Sequence, residues 1–132
     1  HARLGETVKE LNERYGEPDQ LAEGYLIYEL HNFQIFVRLG DREPGQVAVY
    51  LLYKKYDKNG EEQKINTHEL KKLLDANFGK GNWKVRDDRT KTMRHYQTKG
   101  ASAEYSEKKL FVADDEFLRK FEKEENDKMN DF

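Results

Sequence analysis

The sequence predicts an α+β fold in which helices pack on an antiparallel sheet. Three observations favour this class. Apolar residues recur at helical spacing and stop at glycine, segments rich in β-branched and aromatic residues follow each helix, and short spacers separate those segments. This order of elements occurs twice. We therefore expect two tandem units of one helix plus an antiparallel meander, joined in one curved sheet with the helices on one face.

The first unit is expected to span about residues 4–56. Its helix is predicted because Thr7 and Glu10 have the spacing of a capping box, in which each side chain bonds the other's backbone N–H. The helix should end at Gly16, since Pro18 prevents its continuation. Three strands should follow, at Tyr25–Leu30, Phe33–Leu39 and Gln46–Lys55.

The second unit is expected to span about residues 66–113. Asn66 and Glu69 offer another capping pair, and the helical pattern that follows should end at Gly79. A closing helix is predicted over about 114–124, with a frayed tail over 125–132. The predicted strand segments are Trp83–Val85, Thr92–Thr98, Ala101–Ser106 and Lys109–Ala113.

Composition fits a single folded domain over residues 1–132. The residues are 36% hydrophobic and 38% charged, so the core must be thin. An aromatic content of 12% and a formal net charge of -2 argue against disorder. The chain contains no cysteine, which excludes disulfides, zinc–thiolate sites and thiol nucleophiles. No apolar run is long enough to cross a bilayer, so we expect no transmembrane segment.

The first meander is predicted to be apolar on both faces, although the open face of an antiparallel sheet is usually polar. Alternation assigns one set of side chains to the face under the helices: Leu26, Tyr28, Leu30, Phe33, Ile35, Val37, Leu39, Val47, Val49, Leu51 and Tyr53. The opposite side, here called the outer face, should carry a candidate partner-binding set: Tyr25, Ile27, Phe36, Arg38, Tyr50, Leu52 and Lys54.

Three interpretations of the outer face remain open from the sequence. Exposed apolar patches with polar rims mark interaction sites, and aromatics with Arg are enriched at binding hot spots, which favours a protein-binding module. The same residues would also suit a homodimer interface. Alternatively, Tyr and Phe merely stabilise the pairing of neighbouring strands. A different class of function, a ligand-binding or hydrolytic site between the two units, is the alternative to the binding module.

The sequence assigns no catalytic residue, metal ligand or cofactor, and we do not expect an enzyme. Four histidines lack metal-ligand spacing. A catalytic pair could be drawn from Glu29, Glu69, Glu104 and His95, but glutamate is so abundant in the chain that such candidates arise by chance.

The charge distribution does not indicate a nucleic-acid partner. Basic residues are in excess over 80–99 and acidic residues over 114–132, yet the charge of the whole chain is balanced, so no nucleic-acid partner is expected.

Three segments resemble small, uncharacterised exported bacterial proteins. They are residues 4–7 (Leu-Gly-Glu-Thr), 14–18 (Arg-Tyr-Gly-Glu-Pro) and 69–77 (Glu-x-x-x-Leu-Leu-x-x-Asn), with Trp83 following. More distantly, a helix ending in Gly-x-Pro before a meander resembles the repeat of β-lactamase inhibitor protein and small outer-membrane assembly lipoproteins. The resemblance implies a tandem α+β fold, an extracytoplasmic location and a protein-binding role, although the chain lacks the inhibitor's cysteines.

The first residues leave two origins open for the amino terminus. The sequence begins His1-Ala2-Arg3 without a methionine, as in a processed form or after a residual tag. A small residue such as Ala2 suits the cleavage site of a secretory signal. We therefore expect a secreted or periplasmic protein made with a signal peptide.

Overall fold

A computed structural model describes residues 4–22, 24–42, 45–78, 82–87 and 93–130. Its helices are α1 (Val8–Tyr15), α2 (Thr67–Phe78) and α3 (Asp115–Met129). Its strands are β1 (Gln20–Ala22), β2 (Tyr25–Leu30), β3 (Phe33–Arg42), β4 (Gly45–Tyr56), β5 (Glu62–Gln63), β6 (Lys84–Asp87), β7 (Met93–Thr98), β8 (Ala101–Ser106) and β9 (Lys109–Asp114).

All nine strands of the described residues belong to one antiparallel sheet, which confirms the predicted α+β class. The spatial order is β1-β2-β3-β4-β9-β8-β7-β6, and the short β5 pairs with the end of β4. The last strand of the first meander, β4, therefore lies beside the last strand of the chain, β9. The relation of the two halves as tandem repeats stays a prediction.

Both predicted capping boxes are confirmed. The Glu10 N–H donates to Thr7 Oγ1 at 3.3 Å, and the Thr7 N–H donates to Glu10 Oε1 at 3.0 Å. At the start of α2, the Glu69 N–H donates to Asn66 Oδ1 at 2.8 Å, and the Asn66 N–H donates to Glu69 Oε1 at 3.0 Å. Gly16 ends α1 with φ 82°, a backbone conformation that favours glycine. The predicted terminator of α2, Gly79, lies outside the described residues.

The main core lies between the sheet and the two helices α1 and α2. Asn77 is fully buried there and joins three elements. Its side-chain oxygen accepts the Leu4 N–H at 3.0 Å, and its amide donates to Tyr53 Oη at 3.1 Å and to the Leu73 carbonyl at 2.8 Å. The buried apolar cluster comprises Leu4, Leu11, Tyr28, Ile35, Val37, Ala48, Leu51, Tyr53, Ile65, Leu70, Leu74, Ala101, Ala103, Tyr105, Leu110 and Val112.

The side chains of β4 do not alternate regularly between the two faces of the sheet, because the strand contains a β-bulge. Arg38 pairs with Tyr50, whereas the next residue of β3 pairs with Ala48, so Val49 is an extra residue in β4. Before the bulge, Ala48 faces the core in place of Val47 and Val49. The expectation that Val47 and Val49 lie under the helices was therefore wrong, because the extra residue inverts the alternation on one side of the bulge.

The third helix lies on the outer face, opposite α1 and α2. The Phe117 ring centroid is 5.9 Å from that of Tyr50, and the Arg38 guanidinium lies 5.7 Å from the Phe117 centroid. The helices thus occupy both faces of the sheet, because α3 begins directly after β9 and turns its apolar residues towards the outer face. It runs to Met129, beyond the expected end at 124. Among the described residues, no helix is long and apolar enough to span a membrane.

Candidate functional site

The strand register arranges the outer face in three rows of side chains that run across the strands. Directly opposite residues in antiparallel pairs share a face, so each row can be read from the pairing. The covered row is Tyr25, Arg38, Tyr50, Ala113, Ser102 and Gln97. The apolar row is Ile27, Phe36, Leu52, Phe111, Glu104 and His95. The charged row is Glu29, Gln34, Lys54, Lys109, Ser106 and Met93.

Helix α3 lies over the covered row and is held mainly at its amino-terminal end. Asp115 accepts hydrogen bonds from Ser102 Oγ at 2.7 Å and from Gln97 Nε2 at 3.1 Å. Asp114 caps the helix by accepting the N–H groups of its first turn, and it also accepts Arg42 Nη2 at 2.8 Å. Asp115 contacts β8 and β7 and Phe117 contacts β4 and β3, so the helix crosses the strands.

Aromatic contacts join α3 to the sheet beneath it. The Tyr50 ring lies 5.6 Å from Phe111 in a stacked arrangement and 6.3 Å from Tyr25 in an edge arrangement. Phe117 and Phe121 of α3 complete the walls of a cavity of about 220 Å³ over Tyr50. The fit is loose, because no residue of α3 is fully buried and Phe121 keeps 41% of its surface exposed.

The position of Tyr50 under α3 changes its acidity. Burial raises the pKa of the Tyr50 hydroxyl to about 12, and the neighbouring Tyr25 and Glu104 act in the same direction. The phenol is therefore neutral at physiological pH.

The apolar row lies next to α3 and remains partly open. Phe36, Leu52 and Phe111 are half-buried, whereas Ile27 is 6% exposed. The row continues into a polar end, where Glu104 Oε2 lies 4.0 Å from His95 Nδ1. A strip of apolar surface is thus bounded by α3 on one side and by the charged row on the other.

The charged row contributes positive charge along the open side of this strip. Lys54 and Lys109 face each other directly across β4 and β9. The Lys54 ammonium lies 5.6 Å from the centroid of the Phe36 ring and 3.5 Å from Glu62 Oε1. Directly opposed like charges destabilise a strand pair, and because Glu62 already offsets the charge of Lys54, an added anion would chiefly be stabilised by Lys109.

The seven residues predicted for partner binding therefore divide into three groups. Tyr25, Arg38 and Tyr50 lie under α3, which corrects the expectation that no helix of the chain covers this face. The remaining four of the seven are Ile27, Phe36 and Leu52 in the apolar row and Lys54 in the charged row.

Sequence reasoning missed Phe111 and Phe117 as residues of the outer face. Both lie in recognisable apolar patterns, Phe111 in the alternation of β9 and Phe117 in the helical spacing of α3.

The alternative site between the two units corresponds to a cavity of about 240 Å³ between α1 and α2. Glu69 lies at this cavity and forms an ion pair with Lys55, whose Nζ is 2.9 Å from Glu69 Oε2. Burial acts to raise the pKa of the Glu69 carboxyl, but the Asn66 N–H and the Lys55 ammonium lower it below its usual value. This carboxylate is therefore ionised and already paired.

The ionisable candidates do not converge on one site. His95 and Glu104 are neighbours on the outer face, whereas Glu29 lies in the charged row and Glu69 lies on the opposite face. In the part of the chain that the structure describes, no three His, Cys, Asp or Glu side chains form a group that could hold a metal ion.

Comparison with protein-family models, curated proteins and solved structures found no match to this chain. The resemblance to exported bacterial proteins and to inhibitor repeats stays a prediction. The geometry of the outer face and of the cavity between α1 and α2 therefore carries the functional argument.

Proposed function

We propose that the protein is a binding module that docks a partner protein on the apolar row. One observation carries the proposal: Phe36, Leu52 and Phe111 form a continuous, partly exposed apolar strip across β3, β4 and β9. Positions on the open face of an antiparallel sheet are usually occupied by polar residues. Aromatic side chains anchored between a wall and a polar rim are the common arrangement at binding hot spots.

The partner's chemistry follows from the surroundings of the strip. An apolar segment would cover Phe36 and Leu52, and acidic residues along one side of that segment would meet Lys54 and Lys109. Full burial of a large apolar side chain contributes about 1.5 to 3 kcal/mol relative to full exposure, so Phe36 and Leu52, which are half-buried, would each contribute less than this and act together with the charged contacts. Charge complementarity would chiefly raise the association rate and fix the orientation of the partner.

The exported location is part of the same proposal and rests on the resemblance described from the sequence. A secreted or periplasmic binding module would meet its partner outside the cytoplasm. Fractionation of the source cells, followed by detection with an antibody, tests this location. Recovery in the cytoplasmic fraction alone would contradict it.

The binding test compares the wild-type protein with a Phe36→Ser, Leu52→Ser variant as affinity baits. We expect the wild type to retain a partner that the variant loses. The matched control is Val85→Ser, since Val85 is also an apolar strand residue and is 56% exposed on β6. An unchanged set of retained proteins would contradict the proposal, provided that both variants unfold within a few degrees of the wild type.

Sedimentation of the pure protein distinguishes a foreign partner from a second copy. We expect a monomer at all concentrations tested. A concentration-dependent dimer that disappears in the Phe36→Ser, Leu52→Ser variant would identify the apolar row as a homodimer interface and overturn the proposal of a foreign partner.

A further inference from the structure

We infer that the opposite face of the sheet carries a second site, a pocket between α1 and α2 that binds a small carboxylate with an apolar body. This site is independent of the outer face, because β2, β3 and β4 separate the two. Its ligand is a small molecule, whereas the outer face is proposed to dock a protein.

The pocket has an apolar interior formed by residues of three strands and two helices. Its floor includes Phe33 and Ile35 of β3 and Tyr53 of β4, and its sides include Tyr15 of α1 and Leu73 of α2. The volume is about 240 Å³. An apolar cavity of about 150 Å³ stays dry and accepts a benzene ring, so this pocket accommodates an aromatic ring or a medium-length alkyl chain.

The interior is held in place by contacts beneath it. Ile35 and Tyr53 are 3% and 1% exposed, and the Tyr53 hydroxyl accepts the Asn77 amide at 3.1 Å. On the other side, the Tyr15 ring lies 5.5 Å from the ring of Tyr28. A pocket whose walls are already packed loses little entropy on binding, which favours a ligand of matching shape.

The charges at the mouth select the head group. Besides the two tyrosines, three ionisable residues line the pocket, and one of them, Glu69, is neutralised by Lys55. The other two are the exposed Lys72 and His31. Across the described residues, no carboxylate oxygen lies within 4.0 Å of the Lys72 ammonium. The Lys72 ammonium therefore places a positive charge above an apolar interior, which complements a carboxylate on an alkyl or aryl body.

Octanoate is the probe for this site. Octylamine is the control, because it has an alkyl chain of similar length but a positively charged head group. Binding to the full chain is measured by NMR titration, which also reports contacts between the alkyl chain and protein methyl groups. We expect saturable binding of octanoate and weaker binding of octylamine. The terminal methyl of octanoate should contact Ile35 and also Leu30 of β2, which lines the same pocket. Saturable octanoate binding without these contacts would overturn the assignment, as would equal or tighter binding of octylamine.

Variants then separate the apolar body from the head group. Ala76 of α2 also lines the pocket, so Ala76→Phe fills it and should weaken octanoate binding roughly tenfold or more, as loss of a buried alkyl chain implies. Lys72→Ala should weaken it roughly two- to fivefold, the size of an exposed ion pair. The control is Lys71→Ala, because Lys71 lies at a different cavity beside Trp83.

The outcomes of these variants decide the inference independently of the outer-face proposal. Unchanged affinity in a folded Ala76→Phe protein would overturn the pocket, and the methyl contacts decide the matter if that variant fails to fold. Equal losses for Lys72→Ala and Lys71→Ala would overturn the role of Lys72. The Phe36→Ser, Leu52→Ser variant should bind octanoate as the wild type does, so failure of one proposal leaves the other testable.

Discussion

Gly40 permits the close approach of β3 and Val49 beside the bulge. A Cβ atom at position 40 would lie 2.8 Å and 3.0 Å from the two γ-methyl carbons of Val49, which is itself 2% exposed. Contacts of this length force a shift in the neighbouring side chain or backbone. The absence of a side chain at position 40 therefore allows Val49 to be buried where the alternation of β4 inverts.

Gly40→Ala should lower the free energy of unfolding by about 1 to 3 kcal/mol, the usual cost of overpacking a filled site. Urea denaturation at neutral pH provides the measurement. Gly45→Ala is the matched control, because a Cβ there would meet nothing within 4 Å, and we expect a change below about 1 kcal/mol. Equal effects of the two substitutions would contradict the role given to Val49.

At the scale of single residues, the sequence predicted features that depend on near neighbours in the chain, but not features that depend on distant residues. The pairs Thr7–Glu10 and Asn66–Glu69 were predicted because a capping box depends on residues three positions apart. The inversion at Val49 depends on how β4 pairs with β3, which alternation within one strand does not encode. Burial of Asn77 likewise depends on Leu4 and Tyr53, which are distant in the sequence.

Helix α3 is the least embedded of the three helices, and its attachment depends on its first turns. Phe117 contacts Tyr50 and Arg38, whereas residues 121–130 are exposed along their whole length. The carboxyl-terminal half is therefore expected to open before the sheet does, since local stability follows local packing.

Phe117→Ala should increase hydrogen exchange of the α3 amides roughly tenfold, because about half of a buried phenylalanine contribution is lost. The amides of β3 serve as an internal reference and should exchange at the wild-type rate. Phe121→Ala is the control, since the 41% exposed Phe121 contributes less, and a smaller increase is expected. A larger effect of Phe121→Ala would mean that α3 is attached further along its length.

The covered position of Tyr50 predicts a loss of stability at alkaline pH. Its pKa in the folded protein is raised to about 12 from the ordinary value of 10.0, so the folded state holds this proton more tightly than the unfolded state. The contribution is complete below about pH 10 and is lost as the pH rises towards 12. Tyr50→Phe should therefore show a shallower decline in unfolding free energy over this range, and an identical decline would contradict the assignment.

At the scale of elements, the existence of each helix could be predicted, but the face on which α3 packs could not. The helical spacing of Phe117, Leu118 and Phe121 indicates that one side of the helix is apolar, but it does not indicate which surface that side contacts. The same limit applies to the outer face. Alternation identified Phe36 and Leu52 there, and only the packing of α3 shows that Tyr50 is covered while they are not.

The whole molecule is organised about the pairing of β4 with β9. This pair joins the two meanders into one sheet, and Leu51 and Val112, which face each other across it, are both fully buried. Neither half can separate without exposing these residues to water. The order of strands in the sheet could not be predicted from the sequence, because β4 and β9 are far apart in the chain and apolar alternation does not specify a partner.

The two halves should consequently unfold together. Trp83 is the single tryptophan, and its indole N–H donates to the Leu74 carbonyl at 2.7 Å, so its fluorescence reports on the second half. Methyl NMR signals of Val37 report on the first half. We expect the same urea midpoint from both probes, as for a two-state domain. Two separate midpoints would show that the β4–β9 pairing does not couple the halves.

Among the described residues, the longest strands lie at the centre of the sheet and short strands form its two margins. Strand β1 has three residues and β6 has four, with an irregular register in β6, whereas β3 and β4 have ten and twelve. Unpaired backbone groups at a sheet margin are where chains recruit one another into fibrils, and short or irregular strands limit that recruitment. The short strands at the margins should therefore protect this chain, which is rich in strands and aromatic residues, against self-polymerisation.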